Sequence, residues 1–271
     1  GLPANFQSLS NSRTFAQAIA GNPALANEKA NSWTLGVVLE PRFAPQLRAS
    51  VDYVDIHLKD AISNGGASSI VANCYDSSDF ANAADCARFT RGSDGQLSFV
   101  EVQYLNLAEQ RYKGYLATLD YRVPLGSGAR SVGFSVAYQH IDELSTRADA
   151  ASQRVQLDGM IGYARDQALA TFDYSAADLG LFAQVNYIGK ARINPQAAPN
   201  FYPGGLDRVS AIAFVNLGAS VRADDRFTLR VAVDNVFDRQ PPYPYPATGG
   251  GTTYFSGVLG RYVRFGASAS F

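Results

Sequence analysis

Ser131-Val132-Gly133-Phe134-Ser135-Val136-Ala137-Tyr138-Gln139 alternates small or polar side chains with apolar ones for nine residues without a break. Side chains in an extended chain point to opposite faces in turn, so Val132, Phe134, Val136 and Tyr138 share one face and Ser131, Gly133, Ser135 and Gln139 the other. The same period of two recurs at Trp33 to Leu39, Leu47 to Tyr53, Tyr115 to Val123, Ala168 to Tyr174, Leu179 to Tyr187, Ala213 to Val221, Phe227 to Val233 and Val263 to Phe271. The polar parity carries Arg48, Asp52, Asp120, Arg122, Asp173, Arg222, Arg230, Asp234 and Arg264 among many Gly, Ser, Thr, Asn and Gln, as a wet inner wall requires. The apolar parity repeatedly places an aromatic near a strand end (Tyr53, Tyr121, Tyr138, Tyr174, Tyr187, Phe227, Phe271), the pattern of an interfacial girdle. A soluble β-sandwich alternates too, but the two features together favour an all-β, antiparallel transmembrane β-barrel.

Composition points the same way. Charged residues are 17% of the chain against about 25% in ordinary soluble domains, and hydrophobic residues are 46%. Lys and Arg (23) balance Asp and Glu (24), which leaves no basic excess for nucleic acid. No run approaches the roughly 18 apolar residues of a membrane helix, yet a barrel crosses on strands of mild mean hydropathy. Residues 1–20 lack the basic start and apolar core of a secretory signal, and Gly1 is not an initiator Met, so a processed product or a piece of something longer is expected.

The links between strands alternate in length. Short ones fall at 41–46, 124–130, 175–178 and 223–226; long ones occupy about 61–98, 141–166, 189–210 and 236–257. Tight periplasmic turns and long external loops have this asymmetry, provided that residues 100–123 form one long strand bent near 106–111. Nine strands result, within 30–271, after an external segment at 1–29. An odd antiparallel set cannot close on itself, and open edges in lipid cost several kcal/mol for each unpaired backbone group, so further strands are expected from elsewhere.

Few residues suggest chemistry. Cys74 and Cys86 lie in the first long loop, where an oxidising setting favours a disulfide, with a short helix expected between Ser77 or Ser78 and Cys86. Asp76, Asp79 and Asp85 follow no recognised calcium-loop spacing and read as solvated charge. His57 and His140 are the only histidines; a barrel hydrolase would need one of them beside a nucleophile, whereas a packing role suits a strand end. No cofactor is implied. The run Pro241-Pro242-Tyr243-Pro244-Tyr245-Pro246 followed by Gly249 to Gly251, together with Phe201, Tyr202 and Tyr254, either lines the external loops as a stacking surface for a ligand or packs loop on loop.

Several segments resemble the C-terminal part of the TonB-dependent outer-membrane receptors of Gram-negative bacteria. They are Gly21-Asn-Pro-Ala-Leu-Ala-Asn-Glu28 leading to Trp33 and Gly36, Val51 to Ile56 running to Asp60-Ala-Ile62, and Tyr104-Leu-Asn106 leading to Lys113-Gly114. After these come Asp234-Asn-Val-Phe-Asp238, Gly260-Arg261 and the ending with Gly266, Ala269 and terminal Phe271, which is similar to the assembly signal of outer-membrane barrels. Asn27 stands where a Pro is usual in the family, and Tyr115 where an acidic residue is common. The resemblance implies the last nine strands of a 22-stranded barrel set in outer-membrane lipid. It further implies a plug and the remaining strands supplied from outside these residues, coupling to the TonB complex through that plug, and insertion by the barrel assembly machinery. The implied activity is uptake of a scarce nutrient: a ferric siderophore, cobalamin, a saccharide or a peptide, with the disulfide-bearing loop and the aromatic, Gly-rich loops slightly favouring the last two over an iron chelate. A passive porin-type channel and an outer-membrane hydrolase are the competing readings.

Overall fold

The computed structural model describes residues 6–7, 14–64, 66–126, 129–148, 153–194, 207–242 and 259–269 of the 271. In chain order the elements are β1 (Ala16–Ala20), β2 (Lys29–Leu39), β3 (Leu47–Ser63), α1 (Gly66–Tyr75), β4 (Phe89–Arg91), β5 (Leu97–Gln103), β6 (Leu105–Pro124) and β7 (Ser131–Arg147). There follow β8 (Val155–Gln156), β9 (Asp166–Ser175), β10 (Leu179–Ile188), β11 (Ala191–Arg192), β12 (Arg208–Val209), β13 (Ile212–Arg222), β14 (Phe227–Asp234) and β15 (Tyr262–Ala269). Two compact units divide the chain: 1–31, 57–110 and 146–154 form one, and 32–56, 111–145 and 155–271 the other.

The larger unit is a wall. Strands β2, β3, β6, β7, β9, β10, β13, β14 and β15 lie side by side in that order, with β8 added to β7. These are the nine expected strands, joined by the four expected short links. Register carries the alternation from strand to strand. Phe134 pairs with Phe172, Phe172 with Ala183, Ala183 with Leu217, Leu217 with Val233 and Val233 with Val263, an apolar row across six strands. One step over, Ser135, Thr171, Gln184 and Asn216 form a polar row on the opposite face.

The apolar face lies open. Phe134, Phe172, Leu181, Leu217, Leu229 and Phe265 are all exposed, Phe265 to 82%. A soluble sandwich would cover such a face with a second layer, and contiguous exposed apolar area of this kind marks a surface built for another apolar phase. Toward one end of that face the rings of Trp33 and Tyr53 stand 5.5 Å apart and those of Tyr53 and Tyr115 5.1 Å apart. Tyr138 and Tyr187 both face Ala168 across their strand pairs, so they form a second part of this aromatic belt. The polar face is kept low by glycine. The Arg122–Asp173 ion pair (2.9 Å) crosses Gly133, where an added Cβ would come within 2.3 Å of the Asp173 carboxylate. Phe182 covers its register partner Gly218 in the same way.

The segment 234–238 ends β14 with a turn that its own side chains hold. Asn235 is buried at a φ of 50°, a conformation that Asn tolerates better than most residues. Its side-chain amide donates to the Arg239 carbonyl and accepts from the Arg239 N–H, each at 2.9 Å. Asp238 accepts from the Arg261 N–H at 2.8 Å, which explains why Gly260-Arg261 accompanies this segment.

The smaller unit is a lobe. Strand β1 pairs in parallel with β5, and β5 antiparallel with β4. Helix α1 sets Ile70 against Val100 and Val102, with Phe15, Ala67, Phe89 and Leu97 around them. The Cys74–Cys86 disulfide forms, with Cα atoms 4.8 Å apart. The helix differs from expectation: it precedes the Ser pair and ends beside Cys74, while Cys86 sits in a 3₁₀ turn, Ala84–Arg88. Three of the family-like segments meet in this lobe. The Asn106 side chain donates to the carbonyls of Ala26 and Asp60 and accepts from the Ala26 N–H, each at 2.8 Å. Glu28 accepts from the Ile62 N–H at 2.7 Å, and Lys29 pairs with Asp60 at 3.0 Å. Glu109 lies between Arg154 (2.7 Å) and Arg147 (2.9 Å); the Arg154 hydrogen bond, then the charge of Arg147, holds its carboxyl below the usual range.

Some expected boundaries shift. Residues 100–123 are not one bent strand: the break falls at Tyr104, and Leu97–Gln103 belongs to the lobe sheet while β6 begins at Leu105. The cause is a change of neighbours, since Asn22 takes the Tyr104 carbonyl and Asn106 takes Ala26 and Asp60. Strands β3 and β7 run on to Ser63 and Arg147, into the stretches expected as loops, and the 1–29 segment contributes β1.

Two outcomes follow for the full-length protein. Arginine at Ala170, on the apolar face, should cost about 2–4 kcal/mol near the membrane midplane and deplete the heat-modifiable folded band, whereas arginine at the neighbouring Thr171 should leave it at wild-type level. Equal effects at the two positions would refute the facing. Replacing both Cys74 and Cys86 by Ser removes about 3 kcal/mol of loop constraint, so proteolysis between 64 and 96 should accelerate while the folded band persists.

Candidate ligand-binding site

The cavity with the most chemistry in the wall unit lies where the stretches 155–165, 189–194 and 207–210 meet, and it measures about 600 Å³. Backbone hydrogen bonds fix its frame. The Arg192 N–H donates to the Gly159 carbonyl (2.7 Å), Ile161 N–H to Arg192 (3.1 Å) and Ile193 N–H to Asp207 (2.8 Å). Beneath it, Ala164, Ala191 and Val209 pack with Ile188, Ile212 and Phe214, all buried. In β10 and β13 those last three residues have the parity of Gln184, Asn186 and Asn216, so the cavity stands on the polar side of the wall.

Its lining is cationic: Arg165, Lys190, Arg192 and Arg208, with Asp158 as the one carboxylate among the lining residues. Asp158 is buried and accepts from Arg165 through Nε (3.0 Å) and Nη2 (2.5 Å), and from the Leu144 N–H (3.2 Å). Asp207, also buried, accepts from Arg192 Nε at 2.6 Å. Lys190 and Arg208 are exposed and have no ion-pair partner among the described residues. Sequence reasoning missed all six residues because they are spread over some fifty positions without a motif. The signal was there in Lys190-Ala-Arg192 and Asp207-Arg208, which flank a stretch, 193–206, without any Asp or Glu.

The expected aromatic contacts Phe201, Tyr202, Tyr243, Tyr245 and Tyr254, and terminal Phe271, lie outside the described residues. Gly266 and Ala269 lie on β15, opposite Arg230 and Phe227. His140 sits between Asp166 (Nδ1, 2.7 Å) and Asp142 (Nε2, 3.3 Å); with both ring nitrogens facing carboxylates, neither is presented to a Ser or Cys nucleophile. In the lobe, Asp79 receives Asn82, and Asp85 receives Asn73 and Arg88. No group of three or more metal-ligating side chains occurs among the described residues.

Known proteins bear on this geometry. No curated protein sequence matches the chain. The ferric enterobactin receptor of Pseudomonas aeruginosa is similar in structure with a TM-score of 0.62 at 19% identity, over 93% of this chain and 32% of that one. The siderophore receptor PirA of Acinetobacter baumannii gives 0.58 at 16%, and the FrpB iron transporter of Neisseria meningitidis 0.55 at 16%, each over 93% of this chain and 33% of theirs. This chain thus spans about a third of each, and these similarities speak to fold. The family model "TonB dependent receptor-like, beta-barrel" matches residues 2–236, most of the chain. The open apolar face, the polar face behind it and this match agree: the chain belongs to the TonB-dependent receptor β-barrel family of the Gram-negative outer membrane.

Proposed function

We propose that these residues form the last nine strands of a 22-stranded, TonB-coupled importer, with the apolar face in outer-membrane lipid and the polar face toward a lumen filled by a plug from the rest of the polypeptide. The observation that carries this is the uncovered apolar row across six strands, backed by polar residues in register. The long loops capture a scarce nutrient, and no bond chemistry is involved. Ferric siderophores, cobalamin, saccharides and peptides are the cargo classes in view; the aromatic residues that favoured saccharide or peptide lie outside the described residues, so their weight rests on sequence alone.

Liposomes carrying the full-length protein distinguish the importer from a passive channel. A plugged importer should give no osmotic swelling with a small neutral sugar, and cells expressing it should take up labelled ferric complex, cobalamin, oligosaccharide or dipeptide only when TonB is present. Swelling at porin rates, or uptake indifferent to TonB, would replace the importer with a channel.

A further inference from the structure

We propose that two adjoining short links, 41–46 and 124–130, form a seat for an anionic phospholipid of the inner leaflet, with Arg42 and Arg130 receiving its phosphate and Phe43 and Leu125 meeting its acyl chains. The inference rests on the reading of the apolar face as lipid-facing and of the short links as periplasmic, and it adds to that reading a selection of lipid by charge.

The apolar half of the seat continues the lipid face. Phe43 is 90% exposed, and the turn that presents it is held by the Ala44 N–H on the Pro41 carbonyl (3.0 Å) and the Leu47 N–H on the Ala44 carbonyl (2.9 Å). It stands between Leu39 and Leu47, the last and first apolar-parity residues of its hairpin. Leu125, also exposed, and Arg130 extend the apolar parity of Val123 and Val132, and the Leu125 N–H donates to the Arg130 carbonyl at 2.9 Å. The two links adjoin, since the Arg122 N–H donates to the Gln46 carbonyl at 3.3 Å.

The charge balance supplies the other half. Glu40, the one acid between residues 37 and 51, is taken by Arg48 at 3.3 Å, and Asp173 takes Arg122. Arg42 and Arg130 are exposed and have no ion-pair partner among the described residues, and the link 124–130 contains no acid. The other two short links are the reverse: 175–178 carries Asp178, and 223–226 carries Asp224 and Asp225 beside Arg226. Unmatched positive charge thus gathers on the two links that also expose Phe43 and Leu125. The planar guanidinium matches a phosphate with two parallel hydrogen bonds. A soluble anion would satisfy the arginines and leave the Phe43 ring in water, whereas a lipid satisfies both, because aromatic side chains settle at the headgroup boundary of a bilayer.

The test uses the full-length protein purified in a neutral detergent and mixed with equal amounts of phosphatidylglycerol and phosphatidylcholine of the same acyl chains, with the retained lipid counted by native mass spectrometry. Wild type should retain phosphatidylglycerol at least fivefold over phosphatidylcholine, and the double variant Arg42→Gln, Arg130→Gln should lose that preference. Phe43→Ala should lower phosphatidylglycerol retention at least twofold. The charge-conserving variant Arg42→Lys, Arg130→Lys should stay within threefold of wild type, and Arg226→Gln, among the acidic links, should change nothing. Soluble glycerol phosphate in hundredfold excess should not displace the lipid. Equal retention of the two lipids by wild type, a Gln double variant with the wild-type preference, a loss at Arg226→Gln as large as at the pair, or displacement by glycerol phosphate would each overturn the lipid seat. The heat-modifiable band is read on every variant, so a folded barrel giving any of those results loses the seat and keeps the lipid-facing wall.

Discussion

A backbone N–H or C=O set in hydrocarbon has no water to pair with, so a chain that crosses a bilayer as strands must give each polar group to a neighbouring strand. The wall follows from that requirement. Nine strands pair in unbroken succession, four of their links are short, and the register places apolar beside apolar from Phe134 to Val263. A slip by one residue would exchange the faces of a strand and put Arg122 or Asp173 into lipid. Strong register is therefore built in wherever the face is apolar, and the aromatic belt from Trp33 to Tyr187 sits along the end of that face.

In the lobe the constraint relaxes and the residues change accordingly. Strands β3, β6 and β7 run longer than the roughly 9–11 residues a bilayer needs, and their residues within the lobe unit are held by specific polar contacts. Asn106 gathers Ala26 and Asp60, Glu28 takes Ile62, and Glu109 is clamped by two arginines. These contacts give a physical meaning to the family-like segments: Glu28, Asp60 and Asn106, far apart in sequence, are one hydrogen-bonded knot, and Asn235, Asp238 and Arg261 are another. The disulfide and the small core around Ile70, Val100 and Val102 do the equivalent work in the lobe.

The wall was legible from residue alternation because lipid on one side and water on the other impose period two on every strand. That signal named the nine strands and the four short links. It misled where the environment was no longer two-sided: Leu97–Gln103 looks like the start of the following strand, yet its partners are β1 and β4, and nothing in its own residues identifies them. The parallel strand Ala16–Ala20 was invisible for the same reason, since AQAIA has no polar parity to read.

Sequence by itself determined which side chains face lipid, where the chain turns, and that Cys74 and Cys86 pair, because these depend on local periodicity, loop length and oxidation state. Only the tertiary structure decided how the charges around the 158–165, 190–192 and 208–210 cavity are matched. Asp158 and Asp207 could have neutralised any of four cations; folding buries them against Arg165 and Arg192 and leaves Lys190 and Arg208 without an ion-pair partner among the described residues. Net charge is a sum over the chain, whereas a binding site is set by which charges are already matched, and that matching exists only once the three stretches are hydrogen-bonded together.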